Sequence, residues 1–141
     1  MANALFTAFR NGQLNGTTVV DLDTDTIKAM FVDHADDTPV AATDDFIDDI
    51  LSAGRVPAIA SAPALGTKTV GTVAAGVFDA ADTVFTALTG DAVESLILFK
   101  DTGAEATSKL VAFWDTATGL PLTPNGGDVT VAWNASGILQ F

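Results

Sequence analysis

Carboxylates are the residues of this chain whose type and spacing most readily invite chemistry. Asp21, Asp23 and Asp25 stand two apart, so an extended segment would point all three to one side. Such a row gathers hard oxygen ligands for a cation such as Ca²⁺. The stretch lacks the glycine and the distal glutamate of an EF-hand loop, and the residues after it read as strand. A solvated acidic turn is the expectation. Asp44, Asp45, Asp48 and Asp49 form a second cluster, read as the wet face of a short helix. Neither cluster predicts a metal site, and no cofactor is expected.

His34 is the single histidine. A catalytic triad needs a histidine beside a nucleophile and oriented by an acid. His34 sits in the polar run 33–38, and the chain has no Gly-x-Ser-x-Gly elbow. An exposed loop histidine is predicted. With 18 acids, some carboxylate pair will always stand at a glycosidase-like distance, so spacing selects none. The absence of cysteine removes disulfides, thiolate metal sites and a thiol nucleophile. Gly126-Gly127 follows no strand-to-helix pattern and precedes no Lys-Ser/Thr pair, which argues against a phosphate loop. Asn134-Ala135-Ser136 matches a glycosylation sequon, but no secretory signal accompanies it. The sequence therefore predicts no catalytic residue and no enzyme.

The aromatic residues divide differently. Phe78, Phe85, Phe99 and Phe113 fall in predicted strands and read as core. Trp114 follows Phe113 directly, and neighbours on a strand point to opposite faces. One of the two must leave the core or meet a second layer. Trp114 and Trp133, with Phe6 and Phe9 near the start and Phe141 at the end, are the candidate interface residues.

The elements that must position these residues are mainly strands. The 141 residues suit one domain, 1–141, large enough to bury a core without staples. Of the acids 16 are Asp, a turn and cap former, and there are 19 Thr, a strand former. A helix is expected over 2–11, closed near Gly12, with Leu5, Phe6 and Phe9 on one face. A second helix of about ten residues is expected to open at Thr43 and stop at Gly54, with the aspartates in its first turn. Strands are predicted at 19–22, 27–32, 68–73, 76–78, 83–88, 95–100, 109–114, 128–133 and 138–141. Pro57 and Pro63 forbid a central strand between 55 and 65, and the apolar run 96–99 belongs at a sheet centre. The clearest stretch is 115–133. Pro124-Asn125-Gly126-Gly127 supplies turn chemistry, and Val129, Val131 and Trp133 then alternate with more polar neighbours. The spacing predicts a mainly β fold, a β-sandwich or jelly roll with one or two short helices.

The net charge of −12 comes from 18 acids against six scattered bases. Phosphate binding needs clustered Lys and Arg, so no nucleic-acid partner is expected. A solvated, self-repelling surface or pairing with a basic partner surface both fit that charge. Residues 2–9 are too short to span a membrane, and no positive n-region precedes an apolar core. No membrane partner is expected.

The segment 100–133, and above all Asp115-Thr-Ala-Thr-Gly-Leu-Pro121 with Pro124-Asn-Gly-Gly-Asp128, resembles small structural proteins encoded among the virion genes of tailed bacteriophages. Weaker matches precede it in the same order, at 25–28, 32–33, 45–49 and 76–82, so the likeness covers most of the chain. The resemblance implies a head decoration (cement) protein on the outer capsid surface of the virion, made in the host bacterial cytoplasm. It implies the major capsid protein and further copies of itself, as a homo-oligomer, for partners. It brings no catalytic residues. A tail, neck or fibre component, with a receptor- or glycan-binding role for Trp114 or Trp133, is the alternative.

Overall fold

The computed structural model describes residues 3–141. Its elements run β1 (Ala4–Leu5), α1 (Thr7–Asn15), β2 (Ile27–Val32), β3 (Arg55–Val56), β4 (Thr69–Val70), β5 (Val77–Asp79), β6 (Thr83–Phe85), β7 (Ser95–Lys100), β8 (Leu110–Trp114), β9 (Val129–Val131) and β10 (Leu139–Gln140), with single 3₁₀ turns between some of them. The fold is mainly β, every strand pair is antiparallel, and α1 is the one α-helix among the described residues.

A five-stranded sheet ordered β1-β8-β7-β2-β3 holds most of the core. β7 is its middle strand, and β2 and β7 pair in full register from Ile27↔Lys100 to Val32↔Ser95. Both strands coincide with their predicted spans. Their near-continuous apolar sequence is what burial on both faces demands, and Ile27, Ala29, Met30, Ile97, Leu98 and Phe99 are all fully buried. Two smaller sheets, β10-β5-β4 and β6-β9, complete the set. Ring contacts tie the five-stranded sheet to β6-β9: Phe31 meets Phe85 at 4.5 Å, and Trp114 meets Trp133 at 5.8 Å. One buried cluster extends from Phe6 to Leu139. At about 25 cal/mol per Å² of apolar surface, burying each large side chain contributes roughly 1.5–3 kcal/mol.

Three local expectations give way. The first helix starts at Thr7, after β1, and passes through Gly12 to end at Gly16; Ala2, where the sequence placed its start, lies outside the described residues. Gly12 is interior because the following loop doubles back on it. A Cβ there would lie 2.7 Å from the Thr17 carbonyl oxygen. The predicted strand 19–22 does not form. The Gln13 side chain accepts from the Val20 N–H (2.6 Å) and donates to its carbonyl (2.9 Å), occupying both groups that a ladder would use.

The predicted helix after Thr43 is replaced by an isolated bridge, Phe46↔Lys109, and two 3₁₀ turns, Ile47–Asp49 and Ser52–Gly54. Tertiary pairing wins over local pattern. The Ile47 N–H donates to Ser108 O, and the Leu110 N–H to Asp45 O, lashing the segment to the start of β8. Asp44 takes the Val40 N–H, and Asp49 takes those of Asp45 and Phe46, closing turns and the short 3₁₀ segment rather than the first turn of an α-helix. Arg55, only 9% exposed, then donates to the carbonyls of Ile50 (2.7 Å) and Ile47 (2.9 Å) and forks onto Glu105.

Candidate functional site

The two tryptophans end in one place. Trp114 closes β8, and Trp133 lies two residues past β9. Both are half-buried, with ring centroids 5.8 Å apart and planes inclined at 52°. The Trp133 indole is fixed by its Nε1–H, which donates to the buried Thr83 hydroxyl at 3.1 Å. Its main-chain N–H donates to an Asp82 carboxylate oxygen, also at 3.1 Å. Alternation along β8 explains the geometry: Phe113 is fully buried, edge-on to Phe6 at 6.5 Å, while Trp114 points the other way into the contact with Trp133.

These indoles line a groove of about 580 Å³. Its floor holds Phe31 and Leu96 of the large sheet; one wall is the 117–122 loop, and the other runs along Val129–Val131 and on to Ile138. None of the lining residues is charged, although the chain carries a net charge of −12. Few convergent polar groups on an apolar surface suit recognition of a neutral ligand or segment.

Of the other predicted interface residues, Phe6 and Phe9 are 0% exposed and belong to the core, so neither ring is available to a partner in this conformation. Phe141 is 61% exposed and packs against Phe9 at 5.7 Å with the rings inclined at 58°. It is outside the groove lining. The structure thus brings together Trp114 and Trp133 and separates them from the three phenylalanines.

The aspartate clusters resolve into turns. Asp21 accepts from the Asp23 and Thr24 N–H groups, which holds its carboxyl below the ordinary range, with the Thr24 bond contributing most. Asp25 accepts from the Asp21 N–H and pairs with Lys100 at 2.7 Å. Around Phe46, burial pushes the Asp44 and Asp45 carboxyls up, while backbone N–H bonding, first from Asp45, holds Asp49 down. A different trio converges: one oxygen each of Asp33, Asp36 and Asp91 lies within 4.8 Å of the others. Asp33 already accepts the Ala35 N–H at 2.7 Å. Sequence spacing could not find this group, because Asp91 comes from a distant turn.

His34 is not the exposed loop residue the sequence suggested. It is half-buried, stacks near Phe113 at 6.4 Å, and has its Nε2 2.9 Å from the Ser95 hydroxyl. The distance suits a base and a nucleophile. Ser95, however, is completely buried on β7, and no carboxylate bonds to the ring among the described residues. The pair satisfies a buried hydroxyl. A second cleft of about 490 Å³ contains Lys28, Arg55, Asp101 and Glu105, all four joined in two ion pairs, Lys28–Asp101 at 2.7 Å and Arg55–Glu105 at 2.9 Å. Its charges are spent on each other.

The arrangement as a whole is suited to binding through shape and main-chain contacts on a strongly acidic body. No protein-family model matches the chain, and no curated protein matches it in sequence.

Proposed function

We propose that the protein is a structural component of a tailed-phage virion, acting as a head decoration (cement) protein on the outside of the major capsid shell. The observation that carries this reading is the charge left on the surface once the fold has used its cations. Lys28, Lys100 and Arg55 are each tied to a carboxylate, and Lys109 is buried over the Phe46 ring. Arg10 and Lys68 are the remaining bases. So negative a body is repelled by packaged DNA and belongs on the outer face, where a basic shell surface would attract it. The likeness of 100–133 to tailed-phage structural proteins points the same way.

The three sheets and the ring contacts between β6-β9 and the large sheet support a β-sandwich or jelly-roll arrangement for this module. The action is mechanical rather than catalytic. Each copy, working within a homo-oligomer, buries surface on neighbouring shell subunits, and many such contacts on one lattice resist internal pressure by mass action. Immunogold labelling of purified particles, with copy number by quantitative gel densitometry, tests the reading. Labelling over the whole head at a copy number comparable to the shell subunit is the expected result. A handful of copies at one vertex would overturn it in favour of a neck or tail role.

A further inference from the structure

β9 leaves one edge unpaired, and that edge opens on the groove. Hydrogen bonding fixes which residues face it. In an antiparallel ladder, alternate residues address the partner strand. The Trp133 N–H meets Asp82, which precedes β6, and Gly127 O accepts the Leu88 N–H beyond β6. Val129 and Val131, opposite Phe85 and Thr83, share that parity. Thr130 and Ala132 therefore turn their N–H and C=O groups outward. Among the described residues no other strand pairs with β9 on that side. Both residues are exposed, and both line the groove.

Natural edge strands are protected by a lysine, a proline or a bulge, and Val129-Thr-Val-Ala-Trp133 has none of these at its outward positions. We infer that this groove receives an extended, uncharged peptide segment of a partner protein, added as a strand to the edge of β9. The partner's main chain would bond to Thr130 and Ala132, and its alternate side chains would settle between Trp114, Trp133 and the 117–122 loop. Charge selects the flanks. The groove itself is neutral, while Asp115, Asp128 and Asp82 adjoin Trp114, Val129 and the Trp133 N–H. A segment with Lys or Arg at its ends is complementary to that rim. A second copy of β9 would bring like charges together, which disfavours self-pairing. Strand addition at this edge needs only the single chain and does not depend on the protein's place in a particle.

The test uses the full chain and the acetylated, amidated peptide Lys-Val-Thr-Val-Thr-Val-Lys. Amide hydrogen exchange by NMR should slow at least tenfold at Thr130 and Ala132 in saturating peptide, and the fluorescence of the two tryptophans should report the same titration. The peptide N-methylated on alternate residues, in the register that faces β9, should bind more than tenfold more weakly, as should a version with Glu for both Lys. Thr130→Pro removes an outward N–H without touching the β6 ladder and should abolish binding; if that variant misfolds, the N-methylated peptide still decides. Unchanged exchange at millimolar peptide would overturn the inference. So would equal binding of the N-methylated peptide, a free-protein dimer through this edge, or preference of the groove for neutral oligosaccharides.

Discussion

Replacing Arg55 by methionine tests whether one buried side chain holds the irregular half of the fold. The guanidinium donates to Ile50 O and Ile47 O, both on fully buried residues, and pairs with Glu105. Methionine keeps most of the aliphatic bulk and removes every donor. Ile50 O then loses the one donor it has among the described residues, which costs about 1–3 kcal/mol. Ile47 O retains the Ile50 N–H at 3.1 Å, so its loss sits near the ordinary net value of about 0.5–1.5 kcal/mol. The sum is about 1.5–4.5 kcal/mol. At about 3 °C per kcal/mol for a chain of this size, the melting temperature should fall by roughly 5–14 °C.

Urea unfolding followed by tryptophan fluorescence gives the free energy, provided the slope with denaturant is unchanged. Two companions separate the causes. Glu105 is 54% exposed on its side chain, and a screened pair of that kind adds little, so Glu105→Gln should stay close to the parent. Arg55→Lys keeps the charge but lacks the planar fork, and should fall with R55M. An R55M loss below about 1.5 kcal/mol, the least the two carbonyls together allow, would refute the reasoning. A Glu105→Gln loss matching R55M would refute it equally.

Phe113→Ala deletes a fully buried ring in contact with Phe6 and should cost about 3–5 kcal/mol by calorimetry or urea unfolding. Gly137→Ala should detach the C-terminal strand from β5: at φ +102° the new Cβ would be driven into Val77 Cγ1 and to 3.2 Å from Phe78 O. Faster exchange of the Phe141 amide, now bonded to Gly76 O at 3.0 Å, is the readout. The Asp101 carboxyl is held below its ordinary value, first by its hydrogen bond with Lys28. Its contribution is therefore complete above the unfolded pKa of about 4 and is lost as pH falls through the lower folded value. Stability curves of the parent and Asp101→Asn should differ at neutral pH and converge in strong acid; parallel curves across that window would contradict the assignment.

Strands were legible wherever sequence pattern and burial pattern are the same thing. Residues 27–32 and 95–100 are buried on both faces over most of their length, so near-continuous apolar runs, 29–32 and 96–99, mark the strands. The edge elements were overdrawn. Residues 128–133 alternate over the whole span, yet ladder pairing covers only Val129–Val131: the partner chain bends away at Ala87, where φ is +48°, beside the 128 end, and at the other end the Trp133 N–H bonds to the Asp82 side chain. The helix expected after Thr43 failed for a reason absent from its own residues. Its amides and carbonyls are claimed by Ser108, Leu110 and Arg55, which lie up to about sixty positions away. A pattern read over ten residues has no access to such competitors.

The same distinction governs the candidate site. The adjacency of Phe113 and Trp114 was enough to show that one ring must leave the core, since strand alternation is a local rule. That Trp114 meets Trp133 depends on β9 folding over the end of β8, which is a property of topology. Phe6 and Phe9 sat on the apolar face of a short helix, and such a face can serve a core or a partner equally well. The structure assigns them to the core because Phe113 and Phe141 pack against them. What makes the groove a site is a main-chain feature, the outward parity of Thr130 and Ala132. Parity is set by which neighbour β9 pairs with, and the partner strand that leaves this edge free lies some fifty residues upstream. A sequence scan weighs side chains, so it could find the indoles at the mouth of the groove and had no means of finding the donors and acceptors between them.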